Sequence, residues 1–172
     1  MVMLFSCEQS QDEAPTEQPE LPAELAVLFQ YEYINWAWGY QHRGWFIDNH
    51  GNRRKFDVSE SGGWKNTDND GYISKEDLTS SLAKATEVSQ QIPLSVIVQH
   101  EQLIPGTVDG DLSEPENGGA DMGAFAYFCY AWDEERQLYK KQLLSVEGDW
   151  SQHNTSQEAV ALTKWLRTFR ED

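Results

Sequence analysis

Basic residues are scarce in this chain: 13 Lys and Arg stand against 29 Asp and Glu, giving a formal charge of −16 over 172 residues. From Ala85 to Glu135 there is no Lys or Arg at all, while ten Asp and Glu fall in that stretch. Such a field repels phosphates and anionic headgroups, which argues against nucleic acid and against direct binding to an anionic bilayer. Long apolar runs are also missing. No stretch of about 18 apolar residues exists to cross a membrane as a helix. Catalytic signatures are absent too: there is no G-x-S-x-G, no H-E-x-x-H and no Walker loop, and His42, His50, His100 and His153 lack metal-ligand spacing. The sequence therefore names no catalytic residue, and an enzyme would need groups that meet only in the fold.

What is present begins at the N-terminus. "MVMLFSC" is a short apolar run closing on Leu4-Phe5-Ser6-Cys7. It resembles the lipobox of small bacterial lipoproteins of uncharacterised function, with an aliphatic residue three before the cysteine and a small one just before it. Phe5 is bulkier than the motif prefers, and residues 1–7 hold only a remnant of a signal peptide. Residues 8–22, "EQSQDEAPTEQPELP", are acidic, rich in Gln and Pro and without apolar periodicity, so they read as a disordered tether. The resemblance implies lipidation at Cys7 and an exported protein, held on the outer or cytoplasmic membrane and facing the periplasm or the cell exterior. Cys129, in the apolar run "AFAYFCYAW", reads as a buried structural thiol.

Residues 23–172 read as one α+β domain with an antiparallel sheet built from two hairpin blocks and two or three helices packed on it. "LPAELAVLF" spaces Leu25, Leu28 and Phe29 as a short amphipathic helix would. Aromatic and β-branched residues then predict strands at 29–38, 41–48 and 52–58, punctuated by Gly39, Gly44 and "DNHGN". Leu78, Leu82 and Ala85 predict a helix over 75–90. "LSVIVQHEQLI" fits a helix or a strand equally, and residues 105–121 read as a long loop. A second hairpin is expected from 124–132 and 138–146, and a helix near the C-terminus carries Ala159, Leu162, Leu166 and Phe169 on one stripe, capped by Thr155 or Ser156.

One segment has metal-loop spacing. "NTDNDGYISKED", residues 66–77, resembles the twelve-position EF-hand loop: Asn66 at the first position, Asp68 and Asp70 at the third and fifth, Tyr72 offering its carbonyl, Ser74 at the ninth and Asp77 at the last. Asn66 replaces the usual aspartate and Asp77 the usual glutamate, so the resemblance implies a weak Ca2+ site, with a Kd of about 10⁻⁴ to 10⁻³ M. The same residues also describe a metal-free turn before a capped helix, with Gly71 in the turn and Ser74 to Asp77 as a capping box.

The aromatic stretch "YEYINWAWGYQHRGW" holds Tyr31, Tyr33, Trp36, Trp38, Tyr40 and Trp45. Part of it must be core, and Tyr40, His42 and Trp45 form the candidate binding surface, suited to a sugar, a peptide or a protein. "GDWSQHNTS" places Asp149, His153 and Asn154 together, as a site lining or as a helix entry. The function expected is an exported, lipid-anchored binding or interaction module without catalytic activity. The alternative is a hydrolase with an acidic site assembled only in the fold.

Overall fold

The computed structural model describes residues 27–170, so Cys7, the tether and Leu25 lie outside the described residues. The strands are β1 (Val27–Asn35), β2 (Gln41–Asp48), β3 (Asn52–Asp57), β4 (Tyr72–Ile73), β5 (Glu87–Gln91), β6 (Glu116–Asn117), β7 (Ala124–Asp133), β8 (Leu138–Gly148) and β9 (Trp150–His153). They form one antiparallel sheet in the order β5-β3-β2-β1-β7-β8-β9-β6, with β4 paired to β8 off that path. The helices are α1 (Lys75–Leu82), α2 (Leu94–Glu101), α3 (Ile104–Val108) and α4 (Gln157–Leu166), the last running into a 3-10 turn at Arg167–Phe169. The class is α+β, with four α-helices among the described residues where two or three were expected.

Successive side chains of a strand point to opposite faces of the sheet, and here the two faces have different covers. Phe29 packs edge-on against Trp165 of α4, and Trp45 meets Phe169, so the odd-numbered side of β1 and β2 lies under α4. α2 joins this layer through His100, stacked on Trp165 at 3.8 Å, and α3 through Thr107, whose hydroxyl lies 3.3 Å from Cys129 Sγ. The even-numbered side carries Phe46 and Phe56 beneath Trp64, with Ile73 and Leu78 of the β4–α1 segment buried beside them. Cys129 is inert as expected: burial pushes its thiol up to about 12, against the Thr107 hydrogen bond.

Three expectations are corrected. Leu28 and Phe29 belong to β1, not to a helix. Val27 to Gln30 are all fully buried because β1 is central, between β2 and β7, and a strand covered on both faces shows an unbroken apolar run that mimics helical spacing. The helix expected over 75–90 stops at Leu82, and Glu87–Gln91 forms edge strand β5 against β3; Ala85 is buried from the connection, so its place on a helical stripe was coincidental. The segment 105–121 is not all loop, since α3 begins at Ile104 with Pro105 in its first turn, where a missing N–H does no harm, and β6 follows. "LSVIVQHE" resolves as helix α2.

Candidate functional site

The loop 66–77 is folded as a turn and a cap. Asp68 Oδ1 accepts the backbone N–H of Asp70 at 3.0 Å and of Tyr72 at 2.8 Å, while Asp68 N–H donates to the Tyr72 carbonyl at 2.8 Å. Gly71 turns the chain at φ 81°, a left-handed conformation that favours glycine. Ser74 Oγ accepts the Asp77 N–H and donates to Asp77 Oδ2, both at 3.1 Å, and Lys65 Nζ lies 3.5 Å from Asp77 Oδ1. Lys140 Nζ donates to the Asp70 carbonyl, and Tyr72–Ile73 pairs with Tyr139–Lys140. Four of the six expected ligands, Asp68, Tyr72, Ser74 and Asp77, thus have at least one oxygen engaged with a protein partner. Among the described residues no group of three His, Cys, Asp or Glu is gathered to hold a metal. As folded, Asp77 is engaged with Ser74 and Lys65 and the Tyr72 carbonyl with the Asp68 amide, so a bound Ca2+ would compete with those contacts.

Tyr40, His42 and Trp45 do not share one surface. His42 and Trp45 are three apart on β2 and point to opposite faces, and both are buried, at 2% and 4% exposure. Trp45 packs on Tyr31 and Phe169. His42 sits edge-on to Phe56 and Trp64 and joins a buried polar network. Its Nε2 lies 3.3 Å from Glu32 Oε2 and its Nδ1 3.0 Å from the Tyr40 hydroxyl. Glu32 also accepts Gln30 Nε2 at 2.5 Å and Lys141 Nζ at 3.2 Å, while the Tyr130 hydroxyl donates to Gln30 Oε1. Burial alone would raise the Glu32 pKa, but the Lys141 ammonium and the His42 hydrogen bond outweigh it and hold the carboxyl below its ordinary value. The network borders a cavity of about 280 Å³, lined also by Ile34, Trp64 and Phe128 and mouthed by residues 65–67 of the turn.

Sequence reasoning missed Glu32 and Lys141. They lie 109 positions apart, and only the pairing of β1 through β7 to β8 brings them together. The sole signal was a glutamate between two tyrosines in an aromatic strand.

A different cluster is exposed. Trp36 and Trp38, in the β1–β2 turn, are 73% and 80% exposed, and Trp36 packs at a tilt against Tyr40, ring centres 4.3 Å apart. Asn35 Nδ2 donates to the Asp121 carbonyl, Met122 N–H to Asp149 Oδ1, and Asp149 N–H to the Gly123 carbonyl. These bonds hold exposed Met122 and Trp150 at the same end of the sheet as the two tryptophans. Asp149 is therefore a latch for this end. Asn154 serves the helix entry instead: fully buried, it accepts Ser156 N–H at 3.0 Å and donates to the Thr107 carbonyl at 2.8 Å, while Ser156 caps α4. His153 lines the hollow between α4 and β8. Compared with family models, with curated proteins and with solved structures, the chain matches none of them, so its function is argued from these residues.

Proposed function

We propose that the chain is an exported, lipid-anchored binding module without catalytic activity, held at the membrane through Cys7, and that its contact surface is the aromatic end of the sheet, which takes a neutral glycan. The observation that carries this reading is the exposure of Trp36 and Trp38 on a hairpin tied to its neighbours, with exposed Met122 and Trp150 at the same end of the sheet. Large apolar side chains grouped on a surface mark interaction sites, and indoles dominate contact energies. Asp121, Asp149, Glu116 and Asn117 belong to the same end. Their oxygens can accept hydroxyl protons while the indoles pack on the C–H faces of sugar rings. A neutral polyol meets no repulsion from a charge of −16, unlike an anionic lipid or a nucleic acid.

The hydrolase reading has one cluster in its favour, Glu32 with His42. Both nitrogens of that histidine and both oxygens of that carboxylate already have protein partners, whereas a general base must direct a lone pair at its substrate. The cluster therefore supports a structural network better than a catalytic one.

Calorimetric titration with the β-1,4-linked hexamers of N-acetylglucosamine and of glucose tests the glycan reading. Trp36→Ala combined with Trp38→Ala should weaken binding at least tenfold, about 1.4 kcal/mol, while leaving unfolding stability within about 1 kcal/mol. Absence of heat and of any change in indole emission with both glycans refutes it.

We further propose that Ca2+ is only a weak accessory at residues 66–77. Terbium, sensitised by Trp64 and Tyr72, should half-saturate no tighter than about 10⁻⁴ M, and Asp70→Ala should abolish the emission. Micromolar saturation would show that the turn reorganises into a true cage.

A further inference from the structure

The side of the sheet under α4 is only partly covered, and what remains open is cationic. Strand register sets two rows of side chains across it. Phe125, Tyr33, Arg43 and Asp57 form one row, and Tyr127, Tyr31, Trp45 and Lys55 the next. The 3-10 turn after α4 reaches these rows with Phe169, on Trp45, and the residue that follows it, Arg170, sets its guanidinium 4.6 Å from the Phe125 ring centre. Beyond them the sheet opens into a groove of about 770 Å³, floored by Tyr31, Tyr33 and Phe125 and flanked by Arg43, Lys55, Lys84 and Arg170. Four of the 13 basic residues of the chain line this one groove, against two acids, Asp57 and Glu87. In a protein of charge −16, that local excess sets the groove apart from the rest of the surface.

The acids leave the excess in place. Asp57 is taken up chiefly by Ser59, whose hydroxyl donates to it at 2.6 Å and whose amide donates at 3.0 Å. Glu87 lies opposite Lys55 in the ladder. Arg170 has a longer contact with Glu147, 3.8 Å, and that carboxylate is shared with Arg167. Arg43 stands over the Tyr33 ring, its Cζ 5.2 Å from the ring centre, as Arg170 stands over Phe125. Two guanidiniums standing over an aromatic floor match an oxyanion carried on a flat ring: the ring packs beside the guanidinium and aromatic faces while the anion takes charge-assisted hydrogen bonds from the arginines.

We propose that this groove binds a small organic anion consisting of a planar ring bearing a carboxylate or phosphate. It does so with residues other than the exposed tryptophans, although its floor adjoins the aromatic end at Tyr33, whose hydroxyl accepts Asn35 Nδ2 at 2.7 Å. Equilibrium dialysis with 2-naphthoate and 2-naphthyl phosphate, with neutral 2-naphthamide as the control, measures it. Both anions are expected to bind at least tenfold more tightly than the amide, and the advantage should shrink as salt is raised. Arg43→Gln with Arg170→Gln should abolish the advantage, and Lys84→Gln, outside the sheet, should reduce it at least threefold. If the double variant fails to fold, the Lys84→Gln arm and the amide control decide. Equal binding of amide and anions overturns the proposal. So does an anion preference that survives Lys84→Gln and the arginine changes, or one that is lost in Trp36→Ala with Trp38→Ala. A preference shown by the phosphate alone or the carboxylate alone identifies the anion and leaves the site as assigned.

Discussion

Glu32→Ala is expected to destabilise the protein by about 3–5 kcal/mol at pH 7, the range for removing one partner of a buried ion pair. The carboxylate is the hub of its network. Without it, the Lys141 ammonium, at 15% side-chain exposure, keeps only the face of Phe128, 3.9 Å from the ring centre, as compensation. Gln30 Nε2 and His42 Nε2 lose their acceptor in the same step. Each orphaned buried donor carries its own desolvation penalty. Removing both charges together should be far milder: Glu32→Leu with Lys141→Met leaves no unpaired ion, and apolar replacements of buried pairs are often close to neutral. Urea titration of the three proteins checks the pattern. A double variant as unstable as Glu32→Ala would show that the network, not the uncompensated charge, is what the fold requires.

The same carboxylate gives a pH signature. Its pKa is lower in the folded protein than the ordinary 4.5, so unfolding at acid pH takes up a proton. The stabilisation it supplies is complete above the ordinary value and is lost as pH falls below it, through the folded one. Glu32→Gln cannot take up that proton. The stability difference between wild type and Glu32→Gln should therefore be largest at neutral pH and narrow steadily below about pH 4.5. Taking the difference removes the contribution of the other acids, which titrate in both proteins.

How much of this was legible depended on the range of the interactions involved. The strand at 41–48 and the entry to α4 were readable because each is set by neighbours: alternation with turn glycines for the first, and Ser156 over an apolar stripe for the second. The central strand β1 was half misread. Its first residues are flanked by strands and covered by elements far away in sequence, such as Trp165 of α4 on Phe29, and no local pattern announces that. The candidate surface residues divided in the same way. Tyr40, His42 and Trp45 are close in sequence, yet one step of alternation puts His42 into the network beneath Trp64 and Trp45 beneath Phe169. Trp36 and Trp38 escape burial because they sit in the hairpin turn, past the last ladder pair at Asn35 and Gln41. The cationic groove could not be read at all: Arg43, Lys84 and Arg170 come from three separate segments, and the net charge conceals them.

Gly148→Ala should be the other severe change, and it acts through backbone alone. Gly148 ends β8 with φ 134°, opposite Ala124, and a Cβ there would stand 1.9 Å from the Gly123 carbonyl oxygen and 3.2 Å from the Ala124 Cα. Neither atom belongs to a flexible side chain, so the two strands must separate where they are paired. Strain at positive φ and forced repacking each cost about 1–3 kcal/mol, giving an expected loss of about 3 kcal/mol or more. Gly39→Ala is the matched control: its φ of 98° is also left-handed, but no atom lies within 4 Å of the added methyl, so only the conformational part, about 1 kcal/mol, should appear. Because the Gly123 carbonyl also accepts Asp149 N–H, and Asp149 holds Met122, the displacement should reach the aromatic end. Gly148→Ala is thus expected to weaken glycan binding as well as folding, whereas an alanine at position 148 tolerated as well as one at 39 would mean that the β7–β8 ladder does not hold that end in place.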